Sequence, residues 1–206
     1  MGLMSSTAHV RPPTPQAAAG PTDVDLVRRV KQRDSLAFDE LVRRHQDRIM
    51  NACVRMVGDY EDARDLCQET FVKAFRAVAN FEERSQFGTW IYRIAINLCL
   101  SYHRSGKRSI ERPMPHPKKD ESRPEHQVPD LSMEPQSAVL GREAQEVVQR
   151  AIAQLDDEYR SVIVLREIQG LSYEEVAEVL SVPIGTVRSR LHRAREALKE
   201  TLSKYM

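Results

Sequence analysis

Between Ser105 and Gln136 the chain carries six prolines, Pro113, Pro115, Pro117, Pro124, Pro129 and Pro135, with balanced charge and almost no large apolar residue. Proline locks φ and removes a backbone donor, so neither a helix nor a central strand persists through such spacing. The segment 105–136 reads as a flexible linker. It excludes one continuous domain and leaves two modules, residues 22–104 and 137–206. Ahead of them, residues 1–21 are rich in Pro, Ala and Thr and lack the basic and apolar regions of a secretory signal. They read as a disordered tail on a cytoplasmic protein.

Both modules read as helical, because apolar residues recur at spacings of three and four and no alternating strand pattern appears. The fold class expected is all-α, two small helical domains. In the first module helices are expected over Asp23–Gln32, Leu36–Val57, Tyr60–Ala79 and Gly88–Arg104, with Thr22, Ser35 and Asp59 placed as N-caps. In the second they are expected over Ala138–Gln154, Asp157–Ile168, Tyr173–Leu180 and Ile184–Ser203, with Ser172 and Glu175 forming a capping box. A mean hydropathy of −0.52 and the lack of any apolar run near the roughly 18 residues a bilayer requires exclude a transmembrane helix. Cys53, Cys67 and Cys99 are odd in number and far apart, so they read as small core residues and not as a disulfide framework.

The 31 Lys+Arg nearly balance 30 Asp+Glu, yet the charge is segregated. From Gln136 to Val187 there are 9 acidic and 4 basic residues, and from Arg188 to Met206 there are 2 acidic and 6 basic. A short helix, a turn at Ser181–Pro183 and a longer helix make a helix-turn-helix. Val176, Leu180, Val187 and Leu191 form its apolar wedge. The second helix has one stripe of Ile184, Val187, Leu191, Ala194, Leu198 and Leu202, while Thr186, Arg188, Ser189, Arg190, His192, Arg193 and Lys199 take the remaining surface. A helix anchored on one side and basic on the other suits major-groove reading, where Arg bonds guanine bidentately.

In the first module Ala63, Leu66, Cys67, Thr70, Ala74 and Val78 make a core stripe. Asp62, Asp65 and Glu69 line another face with Gln68 nearby. By spacing alone that row is equally a solvated face or a docking face. Farther on, Ile91, Ile94, Ala95, Leu98 and Tyr102 share one side of a helix, and Arg93, Asn97, Ser101 and Arg104 share the other, offering charge and amide hydrogen bonds to a nucleic-acid strand. Phe87 and Trp90 are able to stack on bases, but burial is the commoner fate of a lone Trp, and Trp90 reads as scaffold.

The stretch Leu171-Ser-Tyr-Glu-Glu-Val-Ala177, followed by Pro183-Ile-Gly-Thr-Val-Arg-Ser-Arg-Leu-His-Arg-Ala-Arg195, resembles region 4.2 of bacterial RNA polymerase sigma factors of the extracytoplasmic-function (ECF) group. Asp62 to Arg76 resembles region 2.2, and Phe81 to Arg104 resembles regions 2.3 and 2.4. The resemblance covers about Asp23 to Leu202 outside the linker. It implies a sigma initiation factor with no enzymatic activity, cofactor, metal or small-molecule substrate, whose partners are core RNA polymerase, promoter DNA and an anti-sigma factor, often membrane-anchored. It places polymerase docking on Asp62, Asp65, Gln68 and Glu69, and minus-10 contacts on Arg93, Asn97, Ser101 and Arg104. Minus-35 contacts fall on Arg166, Thr186, Arg188, Ser189, Arg190, His192 and Arg193, with Arg188, Ser189, His192 and Arg193 at bases and Arg166 and Thr186 at phosphates. One departure is Ser181, where this turn usually carries Gly; a left-handed backbone there costs Ser on the order of 1 kcal/mol.

Two rival readings bear on function. An enzyme finds little support, since no HxxxH or Cys/His cluster and no glycine-rich phosphate loop occurs in the sequence. A conventional helix-turn-helix repressor or activator would share the C-terminal motif, but it would need a ligand pocket or dimer face in the first module and would bind its operator without polymerase.

Overall fold

The computed structural model describes residues 20–109 and 147–204. The expected tail, most of the linker and the first part of the helix expected over Ala138–Gln154 lie outside them. Among the described residues there are helices and turns and no strand.

The first module contains α1 (Asp23–Lys31), α2 (Ser35–Val57), α3 (Tyr60–Ala77) and α4 (Phe87–Ser109). Thr22 caps α1 in a full capping box with Asp25. The cap of α2 is Asp34 and not Ser35, because the Asp34 side chain accepts from the Ala37 amide and is itself held by Arg29 at 2.8 Å. A carboxylate oriented by a neighbouring guanidinium is a better acceptor than the adjacent hydroxyl, so the helix starts one residue earlier. Asp59 caps α3 as expected. The last turn of α3 tightens into a 3₁₀ segment, Val78–Asn80. Helix α4 runs to Ser109, five residues past the expected end at Arg104.

In the second module α5 spans 147–153, followed by α6 (Asp157–Ile163), α7 (Tyr173–Leu180) and α8 (Ile184–Leu202). The helix expected to reach Ile168 changes at Val164 into a π-helical turn that ends beside Gly170 at φ 75°. Ser172 and Glu175 form the expected capping box. Ser181 adopts the left-handed conformation at φ 55° and ψ 44°. The turn therefore demands the geometry that glycine supplies without strain, and serine bears the cost.

The buried apolar residues form one cluster running from Leu26 through both modules to Ala194. The expected α3 stripe is buried throughout, with Thr70 satisfied by donating its hydroxyl to the Leu66 carbonyl at 2.7 Å. All three cysteines are free and buried, and burial pushes the Cys67 thiol up to about 12. Trp90 stacks among Phe81 and Phe87 at 4.8 and 5.6 Å between centroids, a scaffold role. Tyr102 departs from its expected core stripe: it is exposed, and its hydroxyl donates to Asp62. Helix α4 meanwhile buries a second stripe, Tyr92, Ile96 and Cys99, because the second module packs on that side.

Candidate functional site

The outer face of α8 is the first component. Val187, Leu191 and Ala194 are buried against the module, which fixes the helix roll and turns Arg188, Ser189, His192 and Arg193 to solvent. Arg193 engages Tyr159, which holds its guanidinium more firmly protonated. His192 lies 3.5 Å from Glu196 one turn on, an exposed pair worth little. Thr186 is half-buried, and its carbonyl accepts from the Ser189 hydroxyl at 3.0 Å. Arg190 turns away from the exposed face and pairs with Glu158 at 2.7 Å.

Arg166 comes from the π turn, yet it joins the same surface. It donates to the Leu171 carbonyl at 2.6 Å and its guanidinium carbon lies 4.7 Å from the Tyr173 ring centroid; Arg188 approaches that ring at 5.9 Å. Arg195 donates to Glu167 at 2.6 Å and also interacts with Tyr173. Tyr173 thus collects three arginines at the entrance to α7, Arg166 and Arg188 by cation–π attraction, which orients planar groups that would otherwise rotate freely, and Arg195 by a hydrogen bond. Sequence reasoning assigned Tyr173 and Arg195 no part. The available signal was an aromatic residue at the first position of α7, directly after the N-cap Ser172.

The second component is an open groove of about 970 Å³ between α2 and α3. Phe38, Val42, Met50, Phe71, Val72 and Phe75 line it, and Val72 and Phe75 are 42% and 51% exposed, enough to mark an unfilled apolar face. Gln68 stands on its wall. Asp65 and Glu69 adjoin it beside Val72 and Gln68. Asp65 is largely exposed, and Glu69 pairs with Lys73 at 3.1 Å, an exposed i,i+4 contact. Asp62 is separated from this group by its engagement with Tyr102, whose hydroxyl that bond and partial burial push up to about 12. The groove itself was missed in the sequence. Its signal is two large apolar residues, Val72 and Phe75, lying off the core stripe of α3.

The third component is the polar side of α4. Asn97, Ser101 and Arg104 are exposed. Arg104 bonds within its own helix, to the Leu100 carbonyl at 3.2 Å and the Ser101 hydroxyl at 3.3 Å. Arg93 differs from these three. It is half-buried and donates to the backbone carbonyl and the carboxylate of Glu178 in α7, at 2.9 and 3.3 Å. Its Nε is buried without an acceptor. The four residues expected to act together are therefore three in solvent and one held by the other module. Among the described residues no group of three or more His, Cys, Asp or Glu side chains is placed to hold a metal ion, and no helix is long and apolar enough to cross a membrane.

Comparison with known proteins finds two family matches, Sigma-70 region 2 over residues 41–109 and Sigma-70 region 4 over residues 145–198. The RNA polymerase sigma-H factor of Pseudomonas aeruginosa is 41% identical over 181 residues, covering 87% of this chain and 93% of that protein. The ECF RNA polymerase sigma factor SigW of Bacillus subtilis is 36% identical over 176 residues, covering 85% and 94%. Among solved structures, CnrH in complex with the cytosolic domain of CnrY is similar, with a TM-score of 0.66 and 26% identity over 88% of this chain and 97% of that one.

Proposed function

The chain belongs to the ECF group of RNA polymerase sigma factors, which direct polymerase to promoters, and on that premise we propose how its two modules divide the work. Residues 22–104 dock on core RNA polymerase through the α2–α3 groove and its rim of Asp65, Gln68 and Glu69, and hold the minus-10 strand on Arg93, Asn97, Ser101 and Arg104. Residues 137–206 place α8 in the minus-35 major groove. Arg188, Ser189, His192 and Arg193 meet bases, and Arg166 and Thr186 meet phosphates. Arg190, paired with Glu158, contributes to position and charge more than to reading.

The observation that carries this reading is the exposed basic face of α8, anchored by Val187, Leu191 and Ala194 and entered through a left-handed turn. An α-helix fits the major groove, and a bidentate Arg–guanine contact there is worth about 1–3 kcal/mol of discrimination. The exposed apolar groove on the other module supports a protein partner, since a solvated carboxylate row alone has no need of Val72 and Phe75 beside it. The chain performs no catalysis of its own on this reading; it supplies position to the polymerase.

The linker acts as a tether. Promoter elements about 17 base pairs apart lie near 60 Å from each other at about 3.4 Å per pair. A segment of about 30 residues reaches roughly 100 Å at full extension, enough to bridge them. A regulatory protein of the anti-sigma kind, held at a membrane in some members of the group, completes the reading. It is supported by the capture of the similar CnrH with the cytosolic domain of CnrY. The test is transcription from genomic DNA with purified core polymerase and this chain, followed by sequencing of transcript ends. The expected result is a discrete set of starts that share spaced upstream motifs and require the chain. Binding of the chain to defined DNA sites with no chain-dependent starts would favour the repressor reading.

A further inference from the structure

Resting on the function proposed above, we infer that Lys31 is a positioning residue for minus-10 recognition: from α1 it braces the loop 82–86 at the head of α4, so that loop and helix present one polar track of fixed shape to the opened strand. The reading face of α4 does not stop where the helix starts. Gln86, Arg93, Asn97, Ser101 and Arg104 recur at intervals of seven, four, four and three, which at about 3.6 residues per turn puts them on one side. Gln86 and its neighbour Arg84 are exposed, with most of the Arg84 side chain in solvent. A strand laid along this face from Arg104 therefore runs on to the loop, about 27 Å away at about 1.5 Å per residue.

The loop turns without a glycine. Glu83 takes the left-handed conformation at φ 57°, which is unfavourable for a residue with a side chain and persists only where the surroundings over-determine it. Those surroundings come from α1. Lys31 Nζ donates to the Phe81 carbonyl at 2.6 Å and to Glu83 Oε1 at 3.1 Å, and Arg28 lies 3.7 Å from Glu83 Oε2. Lys31 and Glu83 are each 29% exposed along the side chain, so their pair is shielded in a way that the exposed Arg84–Glu82 pair is not.

Lys31 itself has little freedom. It lies in the last turn of α1, which Arg33 closes at φ 69° and the Asp34 amide clasps by donating to the Arg29 carbonyl at 3.1 Å. The two shoulders of the loop are pinned as well. Phe81 packs on Trp90, and Phe87 lies 5.3 Å from His45, whose Nε2 is 2.6 Å from Asp23 at the start of α1. Helix α1 thus holds one shoulder and the middle of the loop directly, and the other shoulder through His45. A single strand is flexible, and a loop that must also be ordered on binding spends part of the interaction on ordering itself. A loop free to re-pack accommodates many sequences, whereas a braced one separates them.

The experiment uses the full chain with core polymerase on a library built from a promoter identified by transcript sequencing, with minus-10 and minus-35 positions randomised and transcripts counted. Lys31→Met removes the ammonium and keeps most of the stem. It is expected to lower the ratio of best to worst base by about fivefold at one or more minus-10 positions and to leave the minus-35 ratios unchanged. Lys31→Arg, which keeps charge and donors, should retain most of the discrimination. In the chain alone, trypsin should cut after Arg84 about threefold faster or more in Lys31→Met at equal helical content, because cleavage follows the population of opened loop. Unchanged minus-10 ratios overturn the proposal, and so does an equal loss at both elements, the mark of a merely structural role. Equal cleavage rates overturn the brace. Should Lys31→Met lose helical content, Glu83→Gln decides by the same two readouts. If the unaltered chain yields no chain-dependent transcripts, the sigma reading fails and the reading role of Lys31 with it, while unequal cleavage would still show that Lys31 holds the loop.

Discussion

Helices α4 and α8 carry the same kind of message in sequence, an apolar stripe opposite a basic and polar face, yet they end in different environments. Helix α8 buries Val187, Leu191 and Ala194 and leaves Arg188, Arg193 and Arg195 outside. Helix α4 buries two adjacent stripes, Ile91, Ala95 and Leu98 on one and Tyr92, Ile96 and Cys99 on the other. Two stripes about 100° apart mean packing on two sides, and the polar face narrows until Arg93 falls within reach of α7. The difference teaches that a basic face in a helical pattern identifies a capacity to bind anions, while the arrangement of neighbouring modules decides whether the capacity is free.

The largest effect expected from this contrast concerns an arginine committed to the fold. Arg160→Ala removes a buried cation from the carbonyls of Met56, Ala153 and Leu155. It should cost about 3 kcal/mol or more of stability in urea unfolding, since each buried carbonyl left without a donor costs about 1–3 kcal/mol. A loss below about 1 kcal/mol would show that these contacts are dispensable. Next comes an arginine outside the core: Arg193→Ala should leave unfolding nearly unchanged and cost about 1–3 kcal/mol of binding to a matched minus-35 site. An equal loss on matched and mismatched sites would remove Arg193 from base reading. A smaller effect is expected at the groove rim. Glu69→Arg reverses an exposed charge beside Val72 and should weaken core polymerase affinity by about tenfold, roughly 1.4 kcal/mol. Titration that gives unchanged affinity and an intact fold would take Glu69 off the docking face.

Much of the fold was legible because its determinants are local. Thr22 with Asp25 and Ser172 with Glu175 mark helix starts by residue type and spacing, and both boxes are present. The α3 stripe and the apolar side of α8 follow from a 3.6-residue period acting on one buried face. What was not legible is non-local or decided between near-equal neighbours. Asp34 outcompetes Ser35 because Arg29 orients its carboxylate. Tyr102 leaves the core stripe because Asp62 offers its hydroxyl an acceptor. The contact of Gln169 with Tyr92 and Asn51 joins polar residues far apart in sequence, and no periodicity encodes such a pairing. The groove between α2 and α3 was half-legible: its acidic rim appeared as a row, and its apolar floor went unread.

The smallest effect sharpens the comparison at the turn feeding α8. Ser181 sits at φ 55°, so Ser181→Gly should stabilise the chain by up to about 1 kcal/mol by relieving left-handed strain, less the greater entropy glycine loses on folding. Urea midpoints measure it, and DNA affinity should not change. A destabilised variant would mean that the serine side chain contributes more than its backbone strain costs.

The central claim is that this chain gives polymerase both its address and its grip on the opened strand, and permanganate footprinting of a promoter found by transcript sequencing tests it most directly. Opening about ten base-pair steps at a mean of about 1.4 kcal/mol each costs on the order of 14 kcal/mol, beyond the return from a single strand-binding helix. The account predicts reactive thymines around the start site only when chain and core polymerase are both present. Reactivity with the chain alone, or none with the complete mixture, would contradict it.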